Sequence, residues 1–247
     1  MTRARETYAG LLMHCAPGTH EAALTLLGRG GAPWQGVLDL GAGTGAFLAR
    51  LRDAGYTDLE AVDRNPARFQ LDGVHCASLD LNAEFAGQLS RSFDLVTALE
   101  IIEHLDSPRA FLRQVHSLLT SEGMLLLSTP NVAHWAGRLK FLLTGDLRMF
   151  EAGLYHRMRH ISPVTETQMR LMLAEVGFAV VGSATAGEFH GPLKRLLTAP
   201  IALAFRFASG AGSLGDSCLY LARKTAPDRR SPGSTSSYSA QSGRAAG

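Results

Sequence analysis

The chain has 247 residues, and its 24 Lys and Arg stand against 22 Asp and Glu, which gives a formal net charge of +2. This length suits one sizeable domain, and the small net charge disfavours a DNA-binding protein and makes an RNA partner unexpected. The three cysteines form no CxxC pair, which excludes a disulfide framework and a zinc ribbon and predicts a reducing, cytoplasmic compartment. No run of about 18 apolar residues is present, so no bilayer-spanning helix is predicted.

Short apolar runs alternate along the chain with segments of helical periodicity. This alternation is typical of a parallel sheet with helices on both faces, and it predicts an α/β fold. Strands are predicted at 36–40, 59–63, 74–78, 93–99, 124–128, 178–182 and 217–222. Helices are predicted at 47–54, 108–119, 166–176 and 192–208.

One domain is expected over 1–224, with an N-terminal lid and helix at 1–35 and an insertion at 190–215. From 225 to 247 the chain is rich in Ser, Gly and Ala, so we expect a disordered tail. The 192–208 segment mixes large apolar residues with basic ones. It could cover the edge of the sheet, form a wall for a lipid-like acceptor, or lie at the periphery of a membrane.

A glycine-rich turn follows the first predicted strand, in the sequence VLDLGAGTGAF at 37–47. Glycines admit positive φ and carry no Cβ, so a nucleoside-containing ligand can lie on bare backbone beside a helix N-terminus. Asp63, at the end of the next strand, could accept hydrogen bonds from both ribose hydroxyls of such a ligand. Gly41-x-Gly43-x-x-Ala46 also fits the dinucleotide fingerprint, so an NAD-linked oxidoreductase stays open at this point.

The wider pattern resembles the class I adenosylmethionine-dependent methyltransferases. Asp39 stands two residues before Gly41 and completes their Asp/Glu-x-Gly-x-Gly-x-Gly motif, and the similarity continues through AVDRNP at 61–66, LDL at 79–81 and FDLV at 93–96. Within this class the chain resembles the ubiquinone-pathway O-methyltransferases and the methyltransferase type 11 and 23 group.

The resemblance implies a Rossmann-like seven-stranded methyltransferase sheet with its last strand antiparallel, and S-adenosyl-L-methionine as cofactor. It assigns the ribose hydroxyls to Asp63, the adenine amino group to Asp80, and the methionine part to the glycine loop. Asp39 would orient this loop or the amino group of the cofactor. The implied cofactor set is Asp39, Gly41, Ala42, Gly43, Gly45, Asp63, Arg64, Asp80, Leu81 and Leu99.

A second group of polar residues, Glu100, Glu103 and His104, follows the fourth predicted strand. Ligands of open α/β sheets bind at the carboxyl ends of such strands, and the three residues share one face if a helix begins there. His104 could take a proton from a hydroxyl. Alternatively, the two carboxylates and the imidazole could hold Mg²⁺ or Mn²⁺, which would lower the pKa of that hydroxyl and orient it.

The Glu-x-x-Glu-His string resembles that of ubiquinone-pathway O-methyltransferases and of small-RNA 3′-end 2′-O-methyltransferases. The matching residues bind a divalent ion in those families, and the RNA enzymes add a later histidine, for which His160 is the counterpart here. The predicted activity is therefore methylation of a hydroxyl on a small molecule, such as a quinone precursor or a sugar. A metal-dependent RNA 3′-end 2′-O-methyltransferase and the NAD-linked oxidoreductase are the alternatives.

Further residues are candidates for the acceptor pocket, and each has a plain structural interpretation as well. His20 stands near a helix start, and Asn131 could cap a following helix. Arg148, Arg157 and Arg159 could select an anionic acceptor or lie in a solvated loop.

Overall fold

The computed structural model describes residues 6–30, 34–187, 192–209 and 211–226. Nine strands lie in this part of the chain: β1 (Thr7–Tyr8), β2 (Leu11–Leu12), β3 (Val37–Leu40), β4 (Leu59–Asp63), β5 (His75–Ser78), β6 (Phe93–Ala98), β7 (Leu119–Pro130), β8 (Phe178–Ala186) and β9 (Ser217–Lys224). The helices are α1 (Thr19–Gly30), α2 (Ala46–Asp53), α3 (Pro108–Leu118), α4 (Trp135–Thr144), α5 (Ala152–Met158), α6 (Glu166–Val176) and α7 (Pro192–Ser209).

The main sheet has seven strands in the order β5-β4-β3-β6-β7-β9-β8, and β1 and β2 form a separate small hairpin. The strands from β3 to β7 pair in parallel, whereas β9 is antiparallel to both of its neighbours, β7 and β8. The predicted sheet, with its last strand antiparallel, is therefore confirmed.

A hydrophobic layer covers each face of the sheet. On one side Leu38 and Leu40 of β3 pack with α3 and α6 through residues such as Phe111 and Leu173. On the other side Val37 packs with α1 and α2. Because side chains alternate along a strand, the side chain of Asp39 points to the same face of the sheet as that of Val37, and it lies near the carboxyl end of β3.

The helix boundaries follow local signals that the sequence carries. Ser107 caps α3 by accepting a hydrogen bond from the amide of Ala110 at 3.3 Å. Thr165 and Gln168 form a capping box at the start of α6, and Gly177 ends that helix with φ of 102°. The predicted bounds of these two helices agree with the structure to within one residue.

Other boundaries differ from the predicted ones. β7 begins at Leu119, earlier than the predicted 124, because Leu119 pairs with Phe93 of β6 ahead of a register shift in that pairing. β8 continues past the predicted 182 to Ala186, because it stays paired with β9 over that length. The predicted tail begins at 225, yet the amide of Thr225 still donates to the carbonyl of Gly177 at 2.7 Å. The rest of that tail, 227–247, lies outside the described residues, as do 1–5 of the predicted lid.

In the described part of the chain no helix combines the length and the apolar character that crossing a membrane requires.

Candidate active site

The glycine turn is held against the end of β4. The amides of Gly41 and Ala42 both donate to the carbonyl of Val62, at 2.7 and 3.0 Å. Gly41 has φ of 77°, and a Cβ added there would overlap the Cδ1 of Ile101. This position therefore requires glycine for two reasons, the left-handed backbone and the close approach of Ile101.

Gly45 has a different part in the turn. Its φ is 88°, and an added Cβ would lie 2.8 Å from Cβ of Leu71 and 2.9 Å from a ring carbon of Phe69. It precedes the first residue of α2 and packs against its neighbours, away from the cavity described below. We interpret its role as shaping the turn rather than contacting a ligand.

Asp63, at the end of β4, is fixed by two backbone amides. Its Oδ2 accepts a hydrogen bond from Gly43 at 2.8 Å, and its Oδ1 accepts one from Asn65 at 2.7 Å. The carboxylate is thereby oriented against the glycine turn, and it lines the cavity beside it. This preorganised position suits recognition of a ligand bound on the turn.

Asp39 lies deeper than Asp63. It is 4% exposed, and its Oδ1 accepts a hydrogen bond from the hydroxyl of Thr97 at 2.6 Å. Burial raises the pKa of Asp39 to about 7, while the bond from Thr97 opposes the rise and the nearby Asp63 charge adds to it. Its carboxyl therefore changes charge near neutral pH.

A cavity of about 740 Å³ runs from the glycine turn to the segment after β6. Its volume falls within the range of small-molecule sites, about 300–1,000 Å³. A smaller space of about 190 Å³ adjoins it through Gly41 and Asp63. From the predicted cofactor set, the larger cavity is lined by Asp39, Gly41, Ala42, Gly43, Asp63 and Leu99. The smaller one is lined by Gly41, Asp63, Arg64, Asp80 and Leu81.

Glu100 lines the larger cavity but does not share a helical face with Glu103 and His104, as the sequence pattern suggested. It has φ of 56°, and only one 3₁₀ turn, Ile102–His104, follows it. The hydroxyl of Ser128 on β7 donates to its Oε1 at 2.8 Å and accepts from its amide at 3.0 Å. Burial raises the pKa of Glu100.

Glu103, His104 and His160 come together at the far end of the cavity. Each of the three offers one ligand atom, and these atoms lie within 4.8 Å of one another. The carbonyl of Glu103 accepts hydrogen bonds from the amides of Ile161 and Ser162, at 2.8 and 3.0 Å. These two bonds bring His160 beside His104, so the structure groups His160 with the predicted metal residues and leaves Glu100 outside.

The electrostatics of this cluster favour neutral side chains. Glu103 is 1% exposed, its Oε2 accepts from the hydroxyl of Thr129 at 3.4 Å, and its Oε1 has no hydrogen-bond partner among the described residues. Burial raises the pKa of Glu103 well above its usual value, and the Glu100 charge adds to the rise. Burial also lowers the pKa values of His104 and His160.

The tautomer of His160 follows from its surroundings. Its Nδ1 lies 2.7 Å from the carbonyl oxygen of Met149, an acceptor, so this nitrogen carries the proton and Nε2 keeps its lone pair. The Nε2 of His104 lies 3.9 Å from the Oε1 of Glu103. The cluster thus presents a carboxyl oxygen and imidazole nitrogens to one point at the cavity wall.

The remaining wall comes from residues that carry no sequence motif. His14 and Met13 precede α1, whereas Met149, Leu154 and Met158 come from the segment around α5. Most of these side chains are apolar, which suits an acceptor with an apolar body. Only their position in the fold brings them to the cavity, so sequence patterns could not single them out.

Two of the further acceptor candidates, Arg148 and Asn131, have polar partners within the fold. Arg148 lines the cavity, but it forms an ion pair with the buried Asp216 at 2.5 Å. The amide group of Asn131 donates to the carbonyls of Gly212 and Gly215 at 3.0 and 2.9 Å, and α4 is capped by His134 instead. Asn131 therefore holds the turn before β9.

His20 also lines the cavity, and its ring packs against that of Phe47 with centroids 5.0 Å apart. Burial lowers the pKa of His20 to about 3, and the Arg50 charge contributes. The ring is therefore neutral throughout the physiological range.

Comparison with known proteins identifies the family. A family model described as a methyltransferase domain matches residues 13–183. The chain belongs to this methyltransferase family. Membership identifies the protein as an adenosylmethionine-dependent methyltransferase, so the predicted enzyme class is confirmed. It thereby favours adenosylmethionine over NAD as the cofactor.

Curated relatives of this methyltransferase include O-methylating and tRNA-modifying enzymes. It is 31% identical to ubiquinone biosynthesis O-methyltransferase of Caulobacter sp. (strain K31) over 114 residues, which are 42% of this chain and 45% of that one. It is 30% identical to tRNA 5-carboxymethoxyuridine methyltransferase of Escherichia coli O157:H7 over 176 residues, 64% of this chain and 65% of that one. The methyltransferase spans about half the length of the first of these relatives.

Solved structures show the same fold. An S-adenosylmethionine-dependent methyltransferase from Mesorhizobium loti superposes with a TM-score of 0.54 at 18% identity, covering 84% of this chain and 99% of that one. Magnesium protoporphyrin IX methyltransferase from Synechocystis PCC 6803, with bound S-adenosylhomocysteine, gives a TM-score of 0.53 at 18% identity, covering 83% and 81% of the two chains.

Proposed function

We propose that this methyltransferase moves a methyl group from S-adenosylmethionine to a hydroxyl oxygen of a small molecule with an apolar body, such as a quinone precursor. The observation that carries the proposal is the single cavity that joins the glycine turn to the cluster of Glu103, His104 and His160. The curated relatives named as ubiquinone biosynthesis O-methyltransferases support the choice of oxygen as the acceptor atom.

The residues around the glycine turn fit the cofactor. The backbone of Gly41 and Gly43 lines the cavity. The fixed carboxylate of Asp63 lies beside the turn, where it would accept hydrogen bonds from the ribose hydroxyls. Asp80 and Leu81 line the adjoining space, where the adenine would lie. Asp39 would hold the positively charged amino group of the methionine part.

When bound, S-adenosylmethionine supplies a methyl group on a positively charged sulfur, and its departure leaves a neutral thioether. No acid is therefore needed on the leaving side. The protein has to align the acceptor oxygen with the methyl carbon and exclude water, and the apolar side chains of Met149, Leu154 and Met158 in the cavity wall favour this. His104 lines the same cavity, and in the absence of a cation its Nε2 would accept the proton of the acceptor hydroxyl.

The same cluster fits a divalent cation, which is the alternative within the proposal, because such a cation would take up the imidazole lone pair of His104 and would activate the hydroxyl in its place. Glu103 brings a buried oxygen without a hydrogen-bond partner among the described residues, and His160 presents a nitrogen whose tautomer is fixed. One carboxylate and two imidazoles are a set of ligands that binds Mn²⁺ and related ions. Such a cation would shift the buried carboxyl of Glu103 to its charged form and lower the pKa of the acceptor hydroxyl.

The test is a screen for transfer of labelled methyl groups to catechols, other hydroxylated ring compounds, sugars and short oligoribonucleotides, with and without Mn²⁺. We expect methylation of a small hydroxylated ring compound, which His104→Ala abolishes while S-adenosylhomocysteine still binds. The exposed His75, outside both cavities, gives the matched control His75→Ala, which should keep full activity. Metal-dependent methylation of the oligoribonucleotide alone would instead establish the RNA 2′-O-methyltransferase, because His160 would then match the later histidine of those enzymes.

A further inference from the structure

A cluster of exposed apolar side chains lies on α4 and α7, and we call it the α4/α7 surface. It accounts for seven of the eleven large apolar residues that are exposed in the described part of the chain. Leu142 is 79% exposed and Phe207 is 83% exposed. The members are Leu139, Phe141, Leu142 and Leu143 on α4, and Ile201, Leu203 and Phe207 on α7.

The seven residues belong to one region of the molecule, because α4 and α7 lie against each other. Single exposed apolar residues are ordinary, but seven of them on two neighbouring helices are typical of a surface that binds something. Both helices belong to segments that insert between strands of the methyltransferase sheet, α4 after β7 and α7 before β9.

The charges on these helices all have one sign. Together α4 and α7 contain Arg138, Lys140, Lys194, Arg195 and Arg206, and neither helix contains an aspartate or a glutamate. Arg206 is exposed, and Lys140 pairs with Glu151 from the segment before α5. A helical surface that combines exposed Leu and Phe with basic residues is typical of proteins that lie at an anionic lipid interface.

Two other occupants fit less well. The segment 227–247 contains a single large apolar residue, Tyr238, so it offers little to bury against seven apolar side chains. A second copy packed through the same surface would bring the exposed Arg206 of each copy together, and like charges at an interface oppose association. A bilayer with anionic headgroups supplies both an apolar layer and the opposite charge.

We propose that the α4/α7 surface binds the face of an anionic phospholipid bilayer, with Leu142 and Phe207 inserted at the headgroup boundary. The chain that leaves α4 supplies Arg148 and Met149 to the cavity wall, and α5 supplies Leu154 and Met158. Membrane binding would therefore place the acceptor end of the cavity next to the lipid, where apolar hydroxylated compounds concentrate. The binding itself does not depend on which acceptor the enzyme uses.

The test measures co-sedimentation of the full chain with vesicles of phosphatidylcholine alone and with phosphatidylglycerol added, at low and high salt. The double variant Leu142→Glu/Phe207→Glu removes two of the most exposed apolar side chains of the surface and adds two negative charges. Its matched control is Leu171→Glu/Val181→Glu, which adds the same charges at exposed apolar positions on α6 and β8. Thermal melts show whether each variant is folded.

We expect the protein to bind vesicles that contain phosphatidylglycerol, and we expect salt to weaken this binding. The affinity for these vesicles should fall by about tenfold or more in the Leu142→Glu/Phe207→Glu variant and should stay unchanged in the control. Absence of vesicle binding by the folded wild-type protein would overturn the proposal, and so would equal losses in both double variants. A dimer in light scattering that the Leu142→Glu/Phe207→Glu variant abolishes, without vesicle binding, would show that a second copy occupies the surface instead.

Discussion

The imidazole rings of His104 and His160 meet edge to face with their centroids 4.9 Å apart. One ring stands on the 3₁₀ turn after β6 and the other follows α5, so only the folded chain brings them together. Glu103 lies beside both, and its backbone carbonyl holds the segment that carries His160. We propose that this pair of rings marks the acceptor end of the cavity.

The cluster predicts selective binding of a divalent cation. We expect Mn²⁺ to bind the wild-type protein in a calorimetric titration and the affinity to fall by about tenfold or more in Glu103→Gln and in His160→Ala, because the first change removes the negative charge of the carboxylate ligand and the second removes an imidazole ligand. Glu100→Gln is the matched control, since Ser128 holds its carboxyl outside the cluster. Equal loss in Glu100→Gln, or no loss in the other two, would contradict this assignment.

Asp39 predicts a pH dependence of ligand binding. Its carboxyl, with a pKa raised to about 7 by burial, is largely protonated at pH 6 and largely charged at pH 8. Only the charged form attracts the amino group of S-adenosylhomocysteine, so the affinity should rise by about tenfold between these two pH values. Asp39→Asn should give weaker binding with a flat profile. A wild-type profile equal to that of the variant would refute the role.

His20 predicts a loss of stability in mild acid. Its folded-state pKa, about 3, lies below the value of about 6.5 in the unfolded chain, so the unfolded state binds more protons between those values. The contribution of neutral His20 to the free energy of unfolding is complete above about pH 6.5, and it diminishes as the pH falls below this value. At pH 5 the loss should be about 2 kcal/mol. Urea unfolding at pH 7 and pH 5 measures it, and His20→Leu should show a smaller drop than the wild type.

Gly41 predicts separate effects on stability and on binding. Gly41 and Gly55 both have positive φ, and this backbone conformation alone should cost about 1–2 kcal/mol of unfolding free energy when either is replaced with alanine. An added Cβ has open space at Gly55 but overlaps Ile101 at Gly41, and Ile101 lines both cavities. The affinity for S-adenosylhomocysteine should therefore be about tenfold lower in Gly41→Ala than in Gly55→Ala. Equal binding by the two variants would show that Ile101 moves away freely.

The sequence predicted where the glycine turn, Asp39 and Asp63 lie in the fold, because their signals are local. The glycine turn, Asp39 and Asp63 sit within or directly after apolar strands, and the order of those strands places them at one edge of the sheet. The caps of α3 and α6 are local too. Such features depend on neighbours within a few residues, which a sequence displays directly.

The acceptor end was harder to predict, because its contacts join distant segments. The left-handed backbone of Glu100 is stabilised by Ser128 on β7, so the expected helical face did not form. Arg148 is paired with Asp216, and neither residue belongs to a motif. The hairpin of β1 and β2 and the short helix α5 were likewise not predicted, since each has few residues and weak periodicity.

The most direct test of the account is a calorimetric titration of S-adenosylhomocysteine into the purified protein and into Asp63→Ala. We expect micromolar binding by the wild type and its loss in the variant, because Asp63 is the carboxylate that the backbone of Gly43 holds against the ligand. The exposed Asp72→Ala, outside both cavities, should bind like the wild type. No binding by the folded wild-type protein, or unchanged binding by Asp63→Ala, would contradict the assignment of this cavity as the cofactor site.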